Sequence, residues 1–198
     1  LLGNPKEDVM KQLYLLASAV LLASSAFAIT PKATKDIPKD KDAYIAKTLT
    51  AAPEAVSKNA TIIRVNDTFD VTETLQKGTN NFTCGIEPDS GNPFCADEYS
   101  MRWYKASYTN GEPPPGFGLA YMQGGDTGIS NHDPAATDHS HWVEAPQHIM
   151  LLGPGVKELA ASYPRKLDPD PMQPFVMFPG HKYEHLMIPV DREPGGTQ

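Results

Sequence analysis

Proline interrupts this chain too often for long helices to dominate it. Among 198 residues there are 19 prolines and 15 glycines. Each internal proline removes a backbone donor and clashes with the preceding helical turn, so elements between prolines must be short and the joints between them must turn. Within those limits two helices are expected. Residues 40–52 place Tyr44, Ile45 and Leu49 on one face and stop before Pro53. Residues 97–108 open on Asp97 and Glu98, line Tyr99, Trp103 and Ala106 on one face, and end at a Gly-Glu-Pro-Pro-Pro-Gly run. Strands are expected over 61–65, 68–75, 117–123, 142–143, 147–152, 174–178 and 185–190, with a short helix at 156–163. Residues 124–140 and 168–174 are expected as loops. Helices and strands mix without βαβ alternation or an internal repeat. The expectation is therefore one α+β domain, with a mixed or antiparallel sheet, a few short helices and long Pro/Gly-rich loops.

Residues 10–28, MKQLYLLASAVLLASSAFA, have the make-up of a cleavable export leader. Lys11 supplies the positive end, Leu13 begins a short apolar run, and Ala26-Phe27-Ala28 supplies the small-x-small cleavage pattern. The run is shorter than the ~20 apolar residues that span a bilayer, so no membrane span is expected after cleavage. Residues 1–9 read as upstream translated sequence, 29–42 as a charged, flexible lead-in, and 43–198 as the domain. A periplasmic or extracellular location follows from this reading. The only cysteines, Cys84 and Cys95, are then expected to pair, and the Cys-x10-Cys spacing is not that of a redox motif. The segment between them, rich in Pro, Asp, Gly and Asn, reads as a turn-rich loop. A net charge of -7 and a pI near 5.3 exclude the basic footprint that nucleic-acid binding needs.

All six histidines fall after residue 131. His148 and His185 begin two parallel patterns, His148-Ile149-Met150 and His185-Leu186-Met187. On strands, residues two apart share a face, so each triplet would present an imidazole and a thioether together. That soft donor pair suits copper, with zinc as the other candidate, whereas a buried, hydrogen-bonded core histidine is the structural alternative. Tyr121, Trp142 and Asp133 are the other residues expected to line a ligand pocket with these two. His139-Ser140-His141 with Glu144, followed by His181 and His185, resembles the cupin metal pattern in outline, but the interval to Glu144 is short and the glycine framing is missing. Tyr121-Met122-Gln123-Gly124-Gly125-Asp126 is similar to a cyclophilin signature one residue longer, and reads as a strand ending in a Gly-Gly turn. Asn131 and Asp133 suit side-chain bonds that hold their own loop. No nucleophile elbow, P-loop or dinucleotide fingerprint is present.

Several segments together resemble an uncharacterised family of small exported bacterial proteins. They are Phe82-Thr83-Cys84 with the loop to Cys95, Tyr121-Met122-Gln123-Gly124-Gly125, Ser130-Asn131 with Asp133-Pro134, Pro146 with His148-Ile149-Met150, and Tyr183-Glu184-His185-Leu186-Met187-Ile188-Pro189. The resemblance implies an exported single domain with no assigned activity, and sets His148 and His185 apart from the other histidines. The function expected is a small-ligand or metal-binding domain. A small secreted hydrolase or metal-dependent enzyme using Asp133 or Glu184 is the first alternative, and a structural envelope protein the second.

Overall fold

The computed structural model describes residues 36–190. The expected leader at 10–28, residues 1–9 and residues 29–35 of the lead-in lie outside the described residues. Helix α1 (Lys41–Leu49) is opened by Asp40, whose carboxylate accepts the Ala43 N–H at 2.9 Å. Residues 36–40 are tied to the domain. Ile37 packs with the core, and the Arg64 guanidinium donates to the Pro38 and Lys39 carbonyls at 3.1 and 3.0 Å. The boundary expected at residue 43 thus falls inside α1.

After the short helix α2 (Glu54–Ser57) come strands β1 (Thr61–Val65) and β2 (Val71–Gln76). Their turn is held by Asn66, whose side-chain oxygen accepts from the N–H groups of Thr68 and Asp70. The β1–β2 ladder breaks register between Ile62 and Ile63 and again between Arg64 and Val65, and the first four residues of β2 are exposed. The segment around Cys84 and Cys95, expected as a loop, is instead a hairpin near the middle of the sheet: β3 (Phe82–Ile86) and β4 (Pro93–Asp97). The turn-forming residues are confined to 87–92, where Gly91 N–H donates to the Glu87 carbonyl and Glu87 N–H to that of Asn92. Cys84 and Cys95 lie directly opposite one another, fully buried, with Cα atoms 4.0 Å apart, and are disulfide-bonded.

Helix α3 (Glu98–Tyr108) follows β4 without a loop, because Asp97 serves both elements. Its Oδ1 accepts the Ser100 N–H at 2.7 Å as helix cap, and its Oδ2 accepts the Leu119 N–H at 2.8 Å from β5 (Gly118–Met122). Residues 124–140 are not wholly loop. They contain β6 (Ile129–Ser130), which pairs with β7 (Trp142–Val143) as a separate two-stranded sheet. Strand β8 (His148–Leu152), a 3-10 turn (Pro154–Val156), helix α4 (Lys157–Ala160) and strands β9 (Phe175–Met177) and β10 (His185–Pro189) complete the described chain.

The main sheet runs β2-β1-β3-β4-β5-β8-β10-β9, antiparallel except for the parallel β1–β3 pair. This is an α+β fold. Helix α3 covers one face, burying Phe94, Ala96, Ala120, Met122, Met150 and Met187 against Trp103 and Tyr104. The other face is covered in three patches, of which one sets Ala51, Ala52 and Ala60 on the disulfide. Tyr44 of α1 packs on Ile62 and Ile86, while Val156 and Ala160 pack on Val176 and Leu186. Tyr44 also stitches the parallel pair, its hydroxyl donating to the Ile63 carbonyl and accepting the Ile86 N–H. Among the described residues, no helix is long and apolar enough to cross a membrane.

The disulfide closes a short loop, so it removes conformational freedom chiefly from the unfolded chain. Reduction, or paired replacement of Cys84 and Cys95 by Ala, is expected to lower unfolding free energy by about 3 kcal/mol. Urea unfolding with and without reductant measures it, and unchanged midpoints would contradict the staple role.

Candidate functional site

The ladder between β8 and β10 pairs Met150 with Met187 and His148 with Pro189. Residues directly opposite in an antiparallel pair share a face, so His148, Met150, Met187 and His185 all lie on the face covered by α3. This is the same-side presentation that the two His-x-Met triplets lead one to expect. The two imidazoles are not opposite one another, however. His185 stands four residues along β10 from Pro189, an offset of about 13 Å at ~3.3 Å per residue, and the methionine pair lies between them. Each imidazole therefore has thioethers as its register neighbours, while His148 still acts electrostatically on His185.

Cross-strand register adds two residues that local sequence spacing does not reveal. Met122 of β5 is directly opposite His148, and Met177 of β9 is directly opposite His185. Four of the seven methionines in the chain thus surround the two rings on one sheet face. From the helix, Trp103 presents its indole edge-on to the His185 ring at 5.3 Å, and Phe178 meets that ring at 5.6 Å. The Tyr104 hydroxyl contacts the Met122 sulfur at 3.8 Å.

Hydrogen bonding fixes how the imidazoles present themselves. His148 Nδ1 is 2.7 Å from the Pro146 carbonyl, and His185 Nδ1 is 2.9 Å from the Tyr183 carbonyl. A carbonyl only accepts, so each Nδ1 carries the proton and each Nε2 keeps a lone pair. His148 is fully buried, and its Nε2 has no hydrogen-bond partner; the buried Trp103 indole N–H also lacks one. Leaving such groups unpaired costs about 1–3 kcal/mol each, which a bound ion, ligand or water would offset. Burial pushes both imidazoles down to about 4, and His148 adds to the effect on His185; the bonded carbonyls, with Glu184 at His185, oppose it. The rings are neutral at physiological pH.

The other residues expected at a site are scattered. Tyr121 pairs with Ile149 and Cys95, so it points to the opposite face of the sheet, against Phe82 and the disulfide. Trp142 is exposed on β7, stacked on the His139 ring at 4.1 Å. Asp133 caps its own turn, its carboxylate accepting the Ala135 N–H at 2.8 Å. The structure does not gather these three around His148 and His185, because period-two alternation separates Tyr121 from Met122 and the β6–β7 pair carries Trp142 away. His141 is bound to Asp168 at 2.9 Å and faces His132 at 6.0 Å, while His181 accepts the Tyr183 N–H. Among the described residues, no three of His, Cys, Asp and Glu come together in a group able to hold a metal ion. The cupin-like set of His139, His141, Glu144 and a late histidine therefore does not assemble.

Glu184 is committed elsewhere. Arg165 grips both of its carboxylate oxygens and the Gly180 N–H donates to it, so the carboxyl is held below its ordinary value despite the opposing effect of burial. Asn131, fully buried, donates to the Lys166 and Leu167 carbonyls and accepts the Phe178 N–H, locking three loops. A separate acidic corner lies where the β3–β4 turn meets the β5 exit. Burial first, then Asp89 and Asp126, push Glu87 up to about 8, with the Ser90 hydroxyl opposing; burial likewise pushes Asp126 up to about 6. Asp126 lines a cavity of about 220 Å³ with Ser90, Asn92, Pro93 and Lys47. A larger groove of about 510 Å³ lies between β1–β3 and the start of α3, lined by Ile63, Thr74, Phe82 and Met101 among others.

Two pH effects follow. The unfolded chain protonates His148 and His185 near 6.5, but the folded chain only near 4, so stability from these rings is complete above pH 6.5 and lost towards pH 4. Each loss is about 3 kcal/mol, and NMR titration should show two rings that stay neutral at pH 5.5. Glu87 acts with the opposite sign. The folded state holds a proton that the unfolded chain releases, so this contribution fades as pH rises from 4.5 through 8. Glu87→Gln is expected to raise the urea midpoint at pH 8 and leave it nearly unchanged at pH 4.5.

Comparison of this chain with protein-family models, with curated proteins and with solved structures found no match in any of the three. The functional reading accordingly rests on the geometry of the His–Met face itself.

Proposed function

We propose that this chain is an exported binding domain of the periplasm or cell exterior, holding a metal ion or small ligand at the face that carries His148 and His185. The observation that carries the reading is the state of His148. Its Nδ1–H is spent on a carbonyl, and its Nε2 lone pair is fully buried without a partner. A backbone acceptor on Nδ1 and a free Nε2 is the posture in which imidazoles ligate metals. The surrounding thioethers favour copper, with zinc second. The oxidised Cys84–Cys95 pair suits the oxidising compartment that the leader implies.

A second reading, a small hydrolase, is favoured by a different observation. Asp126 is a carboxyl raised to about 6 on the wall of a cavity, which is where proton donors are found. Glu184, bound by Arg165, and Asp133, spent on its turn, are poor candidates for acid or base in that scheme.

The test is elemental analysis and mass spectrometry of untagged protein purified from its exported fraction, alongside His148→Gln and His185→Gln. A stoichiometric metal or ligand that disappears in folded variants is expected. Variants that fold normally, by near-ultraviolet circular dichroism, and keep their full complement would overturn the assignment.

A further inference from the structure

The face holding His148 is more specific than a generic metal site, and its donors can be named from register. Met122 is directly across β5 from His148, Met150 is two residues along β8, and Met187 is the diagonal neighbour on β10. All three side chains are buried on the same face, beneath α3. The fourth donor is the orphaned Nε2 of His148 itself. Resting on the binding function proposed above, we infer that the ion is a monovalent soft cation, copper(I), held by His148 Nε2 with the thioethers of Met122, Met150 and Met187.

Charge and softness select the ion. Every donor in the set is neutral, so binding leaves the full ionic charge in a water-poor layer. Burying a charge costs steeply, and a divalent ion costs far more than a monovalent one unless anionic ligands neutralise it. Among the described residues, no strand position on this face supplies an anionic ligand. Both cysteines are consumed by the disulfide, Glu184 is engaged by Arg165, and the acidic corner of Glu87 and Asp126, close enough to act on Tyr104, lies off the β5, β8 and β10 positions that carry the four donors. Zinc in protein sites draws on thiolate, imidazole and carboxylate, and only one such donor, His148, is in this set. Thioether with imidazole selects copper(I). The methionines are also adaptable, so donor atoms can turn toward an ion without moving the strands. Entry would displace the Tyr104 hydroxyl from the Met122 sulfur, a contact of 3.8 Å and weak in kind.

The test uses the folded, disulfide-intact protein, titrated anaerobically with copper(I) against a chromophoric cuprous chelator, and separately with zinc(II). Silver(I) serves as a redox-inert probe of the same site. Expected is one equivalent of copper(I) and of silver(I) withheld from the chelator, with zinc(II) not retained. Met122→Leu, Met150→Leu and Met187→Leu keep the volume and apolar character of the core, and each should weaken copper(I) binding at least tenfold with little change in melting temperature. Met172→Leu, at an exposed position, should change nothing. Methionine variants that bind like the parent would overturn the thioether ligation. Zinc(II) held at one equivalent and lost in His148→Gln, with copper(I) unbound, would overturn the choice of ion while leaving the binding function standing. Retention of neither ion would overturn the copper site, and an empty protein in the elemental analysis would remove the wider reading with it.

Discussion

One carboxylate holds the layer on which the functional reading depends. Asp97 ends β4, caps α3 with one oxygen and accepts the Leu119 amide of β5 with the other. Helix and sheet are therefore joined at a single residue, and the angle at which α3 crosses the sheet is fixed where it starts. Gly118 shows how close the junction is. A Cβ there would sit 2.5 Å from both the Asp97 carboxylate and the Ser100 hydroxyl. At the far end of α3 the Tyr183 hydroxyl shares its proton between the carbonyls of Ala106 and Gly111, so the segment entering β10 is tied to the helix end and the turn that follows it. Pinned at both ends, the helix seals Trp103 and Tyr104 over the histidines and methionines.

The sealed face leaves two of its polar atoms unpaired. A core built only for stability has its polar atoms satisfied or has none. Here a buried imidazole nitrogen and a buried indole N–H both stand without partners, and both belong to the layer between α3 and the β5-β8-β10 strands. Two residues elsewhere show the contrast. Asn131 is as deeply buried as His148, yet it uses both its oxygen and its amide, and Glu184 is met by Arg165 and Gly180. Thr48 Oγ1, Ser100 Oγ and His132 Nδ1 are buried and unpaired as well, so what sets this layer apart is the thioether company of its free imidazole nitrogen.

Much of this was legible in the sequence, and the limits have physical causes. Short apolar, strand-forming runs located β1, β5, β8 and β10, alternation located β2, and Asp97 with its aromatic stripe located α3, because these signals are local. Strands β3 and β4 were hidden since Pro88, Asp89, Gly91 and Asn92 dominate the segment, although they occupy only the turn between two short paired strands. Period two put His148 with Met150 and His185 with Met187. It could not say that Met122 and Met177 stand across from the imidazoles, nor that a methionine pair separates them, because register is set by partners distant in sequence. Tyr121 was placed with His148 on chemistry alone, and one residue of offset sent it to the other face.

Strand β2 closes one side of the main sheet with an outer row of backbone groups turned to water. A flat row of that kind is a template on which another molecule's strand can grow, end upon end, into fibrils. The two slips in its pairing with β1 interrupt the even spacing of donors and acceptors that such growth requires. The same irregularity that looks like imperfect pairing inside the fold thus guards the rim against polymerisation, a safeguard of most value wherever copies of this chain are crowded together.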